Sequence, residues 1–321
     1  MARDVLSETL HGFGMSGVFY AVSELAAPWG IDMPPMPGIL VFHLVTRGGL
    51  VLEVDGETTP MAAGDVVLVP HGTGHTIRDA AGSHATPLFD LPREELGERY
   101  ERIRVPGPGP TTELVCGAVG FSGLGVARLV SALPPVLAAG RGSDAAWVRA
   151  AFEVIAEESR SARVGSDVVT ARLADVLVVR AVRSWLESEA PDRGWVAGLR
   201  DPLLGRALAA FHADPGAPWT LASLAAGAGM SRSAFAARFR DLLGEPPMAY
   251  VTAWRMDVAA RLVAEEDLPL ARVAERVGYR SEAAFNRAFR RAHGVTPGTF
   301  ARRGPAFRDR VDLPGAPPVP A

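Results

Sequence analysis

Cysteine is almost missing from this chain: Cys116 is the single one in 321 residues. One cysteine excludes an internal disulfide and a cysteine-rich zinc module. Lysine is missing altogether, so each of the 33 basic residues is an arginine; we read this as a coding bias without functional weight. No apolar run approaches the roughly 18 residues that a membrane-spanning helix requires. The first ten residues carry Asp4 and Glu8 and no apolar stretch, so no secretory leader is expected and the expected compartment is the cytoplasm. What is present is the composition of a folded chain, 48% apolar and 21% charged, with enough apolar surface to bury a core. Its length suggests two domains.

The net charge of −3 hides an asymmetry. Residues 1–199 hold 16 arginines and 24 acidic residues, a balance of −8, whereas residues 200–303 hold 15 and 10, a balance of +5. Residues 304–321 are neutral. A basic third on an acidic body points to a polyanionic partner.

Short strands are expected at Ile39–Thr46, Leu50–Val54, Val66–Val69 and Thr112–Val119, separated by the turn signals Gly48-Gly49, Asp55-Gly56 and Gly64-Asp65. Closely spaced strands of this kind make a sandwich or barrel. Helices follow. Pro134-Pro135 can start a short one, Ser143 or Asp144 can cap one reaching Arg160, and Ser166 can cap one reaching Glu189. The last has apolar residues almost all round, leaving only a narrow polar stripe of Arg172, Asp175, Arg183 and Glu187. Such a helix is either buried in its own domain or packs on that domain and on a second subunit. Pro191–Gly194 reads as a linker, Pro191–Pro202 as a hinge, and the proline-rich stretch 304–321 as a disordered tail.

The basic third nearly repeats itself. Leu221, Ala225, Ala228 and Gly229 recur 49 positions later as Leu270, Ala274, Val277 and Gly278. Phe235, Phe239, Arg240, Gly244, Pro247 and Tyr250 recur 50 positions later as Phe285, Phe289, Arg290, Gly294, Pro297 and Phe300. Each copy reads as helix, glycine turn, capped helix, which is the helix-turn-helix arrangement. Thr220, Ser231 and Ser281 supply the caps, and Gly229, Gly244, Gly278 and Gly294 the stops. Between the copies, Pro246–Ala264 predicts a rod of roughly 28 Å. One turn of duplex DNA is roughly 34 Å, so the rod can set two helices in successive major grooves.

Periodicity assigns the faces. Phe235, Phe239 and Leu242 must turn inward, leaving Arg232, Ser233, Ala236, Ala237 and Arg240 on the opposite face. In the second copy Phe285 and Phe289 turn inward, leaving Glu282, Ala283, Asn286, Arg287 and Arg290. Arginine and asparagine can each make two hydrogen bonds to a base edge, whereas alanine offers only a methyl contact. The second helix therefore carries more capacity for base readout. Arg240, Arg290 and Arg291 read as phosphate contacts. Asn286 and Arg287 are split between base contacts and phosphate or solvent.

Residues 220–303 resemble the DNA-binding domain of the AraC-type (arabinose-regulator) transcription factors. The likeness includes Val273-Ala274-Glu275-Arg276-Val277-Gly278-Tyr279, then Ser281, Phe285, Arg287, Phe289, Gly294, Val295, Thr296 and Pro297. It implies two helix-turn-helix units on a linker helix. The small residues Ser233, Ala236 and Ala237 depart from the larger ones that family members often carry. In the N-terminal part, Gly64 to His75 resembles the second motif of the cupin barrel, with Asp79 where asparagine is usual. The first cupin motif is broken, with only His43 available. His43, His75 and Cys116 are the candidate ligand or metal residues, since imidazole and thiolate suit zinc or another transition metal. The alternative is two hydrogen-bonded interior histidines beside a small buried thiol. His71, after Pro70, reads as an exposed turn residue.

These readings give a two-domain expectation: an all-β cupin barrel (jelly roll) over 1–125, a helical dimerisation segment over 126–190, a linker over 191–201, an all-α double helix-turn-helix over 202–303, and a tail. The expected function is sequence-specific regulation of transcription, without catalytic residues. Expected partners are double-stranded DNA, a small-molecule effector, a second copy of the chain and RNA polymerase, with no membrane. A metal-dependent cupin enzyme carrying a DNA-binding module is the alternative. Its broken first motif weighs against it, because an open catalytic metal needs about three protein ligands.

Overall fold

The computed structural model describes residues 16–97, 100–120, 124–139, 163–189, 191–265 and 268–303, together with 147, 150, 151, 153–155, 157 and 158. The tail 304–321 lies outside the described residues. The chain divides into a strand-rich unit and a helical unit.

The strand-rich unit contains β1 (Ser16–Ala26), β2 (Gly30–Met33), β3 (Ile39–Arg47), β4 (Gly49–Val54), β5 (Glu57–Ala62), β6 (Val66–Val69), β7 (His75–Arg78), β8 (Thr86–Pro87), β9 (Arg93–Gly97), β10 (Tyr100–Val105), β11 (Thr111–Gly120) and β12 (Leu137–Ala139). They form a seven-stranded sheet, β12-β6-β3-β11-β1-β10-β9, and a five-stranded sheet, β5-β4-β7-β2-β8. β4 is buried at every second residue, with Leu50, Leu52 and Val54 inward, the pattern of a sheet wetted on one face. β3 and β6 are buried almost continuously, so both faces of the larger sheet are covered at these two strands. Leu25, Ile31, Val41, Val45, Leu52, Ile77, Ile103 and Leu114 fill the interior. Truncating one of these to alanine typically costs about 2–5 kcal/mol.

Helix α2 (Ser166–Ser188) belongs to this unit. On it Leu177, Val178, Ala181, Val182, Trp185 and Leu186 are buried, and Asp175 accepts a hydrogen bond from the Tyr20 hydroxyl of β1 at 2.9 Å. Val168, Val169 and Val176 are left 56%, 39% and 44% exposed. The nearly all-round apolar pattern is thus half core and half surface. Its cap is Gly165, at φ +83°, and not Ser166; the Ser166 hydroxyl bonds the Glu158 carboxylate instead. Beyond Pro134-Pro135 the expected short helix is absent. Leu137–Ala139 extends there and pairs with β6, gaining a ladder along that edge. The described positions of 147–158 are helical.

In the helical unit lie α1 (Leu124–Ala132), α3 (Trp195–Arg200), α4 (Leu204–Ala213), α5 (Leu221–Gly227), α6 (Arg232–Leu243), α7 (Pro247–Glu265), α8 (Leu270–Arg276), α9 (Glu282–His293) and α10 (Pro297–Arg303). The chain leaves the strand-rich unit after β11, contributes α1 here, and returns for β12. The segment 126–190 is therefore not one block. Arg128 explains the placement of α1: it pairs with Glu245 at 2.5 Å and stands over the Tyr250 ring.

The expected linker and hinge at 191–202 is a packed helix. Trp195 and Val196 are buried, and the Trp195 indole donates to the Tyr250 hydroxyl at 2.8 Å. Asp201, expected in the linker, accepts from the backbone N–H groups of Leu203 and Leu204. Tyr250 and Trp254 of α7 stack with His212, Trp195 and Phe239 in the first half of the unit. Met256, Ala259, Ala260 and Val263 of the same helix pack on Val273, Phe285 and Phe289 in the second half. One rod thus supplies both cores.

Candidate nucleic-acid interface and sensor core

Both copies of the repeat form helix-turn-helix units. Thr220 accepts from the Ser223 N–H and starts α5 with a reciprocal capping box. Ser231 and Ser281 accept from the N–H groups of Ala234 and Ala284 and start α6 and α9. Gly244 and Gly294 stop those helices at φ +77° and +74°. Pro269 stands at the N-cap of α8, just outside its first turn. Phe235, Phe239, Phe285 and Phe289 are fully buried, which turns the opposite faces outward. Arg232, Ser233, Ala237 and Arg240 are exposed on α6, with Ala236 half-buried. Glu282, Ala283, Arg287, Arg290 and Arg291 are exposed on α9, with Asn286 half-buried.

Several arginines of this unit are spent on ion pairs within it. Arg238 pairs with Asp201, Arg272 with Glu275, Arg261 with Asp257 and Arg128 with Glu245. Burial would raise the Asp201 carboxyl, but the Arg238 hydrogen bond and two backbone N–H donors hold it below the usual carboxylate range. Arg232, Arg240, Arg287, Arg290 and Arg291 make no ion pair with another described residue. Guanidinium groups left unpaired on a helix face are available to phosphates and base edges.

In the strand-rich unit, β3, β7 and β11 bring His43, His75 and Cys116 together. His43 Nε2 lies 2.8 Å from His75 Nε2, His43 Nδ1 lies 3.0 Å from Cys116 Sγ, and His75 Nδ1 lies 2.8 Å from the Thr73 carbonyl. A carbonyl can only accept, so His75 carries its proton on Nδ1 and accepts on Nε2. His43 must then donate from Nε2 and accept on Nδ1, and Cys116 must donate as a thiol. Burial pushes both histidines below their ordinary value; the His75 charge lowers His43 further, while Thr73 and Asp32 partly offset the shift at His75. Burial pushes the Cys116 thiol up. All three groups are therefore neutral and mutually satisfied at pH 7.

This arrangement does not fit a metal. Cys116 sits at the Nδ1 edge of the His43 ring, away from the Nε2 atoms that face His75. Among the described residues no group of three or more histidine, cysteine or acidic side chains could hold an ion. His71 is not a bare turn residue; its Nε2 bonds the Leu133 carbonyl at 3.0 Å. Asp79 accepts from the Trp29 backbone N–H at 3.1 Å. Sequence reasoning missed Thr73, because a backbone acceptor has no residue signature. It also missed Arg128 and Arg255, basic residues that fall outside both recognition helices.

Residues 4–187 match the cupin family, and residues 224–303 match a helix-turn-helix domain family. The chain is 37% identical over 274 residues to a protein of Streptomyces antibioticus named as an AraC-like transcription regulator, covering 83% of this chain and 88% of that one. It is 30% identical over 304 residues to the RCS-specific HTH-type transcriptional activator RclR of Escherichia coli K12, covering 94% and 98%. Among solved structures, the DNA-binding domain of AdpA in complex with a target DNA is 34% identical, covers 34% of this chain and 98% of that one, and has a TM-score of 0.32. Among the described residues no helix is long and apolar enough to cross a membrane. The chain belongs to the AraC-type family: it is a DNA-binding regulator of transcription, not an enzyme, and its N-terminal domain is a cupin.

Proposed function

We propose that this regulator reads its operator as two segments about one helical turn apart, one through α6 and one through α9. The observation that carries this reading is the division of the arginines. Arg232, Arg240, Arg287, Arg290 and Arg291 of the two recognition helices make no ion pair with another described residue, whereas Arg128, Arg238, Arg261 and Arg272 do. Asn286 and Arg287 read bases, and Arg240, Arg290 and Arg291 hold phosphates. Footprinting upstream of the protein's own gene, followed by binding at increasing salt, tests the proposal. Two protected segments per subunit and a steep loss of affinity with salt are expected, because bound arginines displace counterions. Affinity that does not change with salt would overturn it.

Control is placed in the cupin unit, as a small-molecule effector engaging the His43–His75 pair. An effector acting there replaces the hydrogen bond between the two neutral imidazoles with its own donor and acceptor. A His75→Ala chain then binds DNA as the parent does, while a reporter no longer responds to conditions that switch the parent. The chain acts in the cytoplasm as a homodimer through the exposed valines of α2, with RNA polymerase as the downstream partner.

A further inference from the structure

Three segments of the helical unit meet at Arg255. This residue lies on α7, between the aromatic core of the first half and the phenylalanine core of the second. Its Nε donates to the Pro215 carbonyl at 2.7 Å and its Nη2 to the Ala217 carbonyl at 2.6 Å. Both acceptors belong to the turn between α4 and α5, where Trp219 donates from its ring to the Asp214 carbonyl. The same turn presses on the second half. A Cβ on Gly216 would lie 2.4 Å from the Arg276 carbonyl, and one on Gly278 would lie 2.6 Å from the Gly216 carbonyl and 2.8 Å from Arg255 Nη2. Gly278, at φ +81°, is the turn residue of the second unit, just before Ser281 caps α9.

The chemistry of this junction is unlike that of an ordinary surface arginine. Arg255 is half-buried and makes no ion pair with a described residue; both its hydrogen bonds go to carbonyls. Burial lowers its pKa, against the pull of Tyr279 and Asp214. A planar guanidinium spanning two carbonyls two residues apart fixes direction as well as distance. Beside the guanidinium, the turn and the second half approach backbone to backbone at Gly216 and Gly278, where an added Cβ would have no room.

We propose that Arg255 is a positioning residue for DNA specificity: it locks the two recognition helices at one separation and one phase, so that only one spacing of the operator segments is accepted. This rests on the two-segment reading given above. One extra base pair between the segments moves the second by about 3.4 Å and turns it by about 35°. A locked domain cannot follow both changes.

The test is selection of bound sequences from random duplex DNA by the full-length chain, followed by binding to the best site with one base pair added or removed. The parent is expected to select one spacing and to lose about 10-fold or more on either change, the scale of a mismatched position. Arg255→Gln, which cannot bridge both carbonyls, is expected to accept neighbouring spacings with losses below about 3-fold, with base preference inside each segment unchanged. Gly216→Ala, which wedges the junction from the other side, is expected to do the same, and Arg255→Lys to keep part of the discrimination. Thermal melts separate this from simple loss of fold. If Arg255→Gln or Gly216→Ala melts lower yet keeps the parent's single spacing, Arg255 is structural and the proposal fails. A parent that tolerates every spacing overturns the lock and leaves the two segments standing. Should the parent select only one segment, both readings fall.

Discussion

The guanidinium of Arg128 stands 4.8 Å from the centre of the Tyr250 ring. Tyr250 in turn bonds His212 Nε2 at 2.7 Å. A cation over an aromatic face is favourable, more so where water is partly excluded, and here it covers the aromatic core of the DNA-binding unit. The cost falls on His212. Burial, and then the Arg128 charge, push it down to about 3.

Acid should therefore loosen this unit. The folded pKa of His212 lies below its unfolded value near 6.5, so the unfolded chain binds the extra proton. The contribution of His212 is intact above about pH 6.5 and is lost as pH falls toward 3, at up to about 1.4 kcal/mol per pH unit. Melts followed by DNA binding between pH 7 and 5 should show that slope, and His212→Gln should flatten it by one proton. An unchanged slope in the variant would show that His212 is not the group responsible.

Specificity and affinity should separate between neighbouring arginines. Replacing Arg287 with alanine should relax base preference in the α9 segment at a cost of about 1–3 kcal/mol on the specific site. Arg290→Ala should weaken specific and random DNA alike and reduce the salt slope by about 1. Competition with random duplex distinguishes them, and a uniform loss for Arg287→Ala would make it a phosphate contact.

The thiol of Cys116 should matter as a donor. Its replacement by alanine leaves His43 Nδ1 without a partner in a dry interior, costing about 1–3 kcal/mol. Serine keeps a donor and should cost less. Urea unfolding of the two variants decides the point; equal stabilities would mean that the chain from Thr73 to Cys116 adds nothing.

Association should depend on the outer face of α2. Val169→Glu and Val176→Glu change residues already 39% and 44% exposed, so little core is lost. The proposed homodimer predicts that the parent sediments as a dimer and that each variant sediments as a folded monomer at the same concentration. A dimer that survives both changes lies elsewhere.

The helical repeat was legible because caps, glycine stops and paired phenylalanines recur at fixed spacing, each a local device. Four strands of the cupin were legible from apolar runs between turn glycines. β1, β2, β5, β7, β8, β9 and β10 were not, since polar and charged residues interrupt them and they carry no continuous apolar run between turn glycines. β12 was hidden behind Pro134-Pro135, a helix start in isolation, because its pairing with β6 is non-local. Pro191–Pro202 looked like a linker by its ends alone; Trp195 and Val196 inside it were the contrary signal. The meeting of His43, His75 and Cys116 followed from the barrel, but their proton order did not. That order is dictated by the Thr73 carbonyl.

The excursion of α1 also bears on how such a protein can be recombined. Leu124–Ala132 is encoded between two cupin strands yet is built into the DNA-binding unit, so a single cut after residue 190 leaves this helix on the cupin side. A chimera joined anywhere after residue 190 leaves Tyr250 facing a foreign helix in place of its own Arg128. An exchange of sensors that carries the short helix along with the DNA reader keeps the Arg128 contacts with Glu245 and Tyr250.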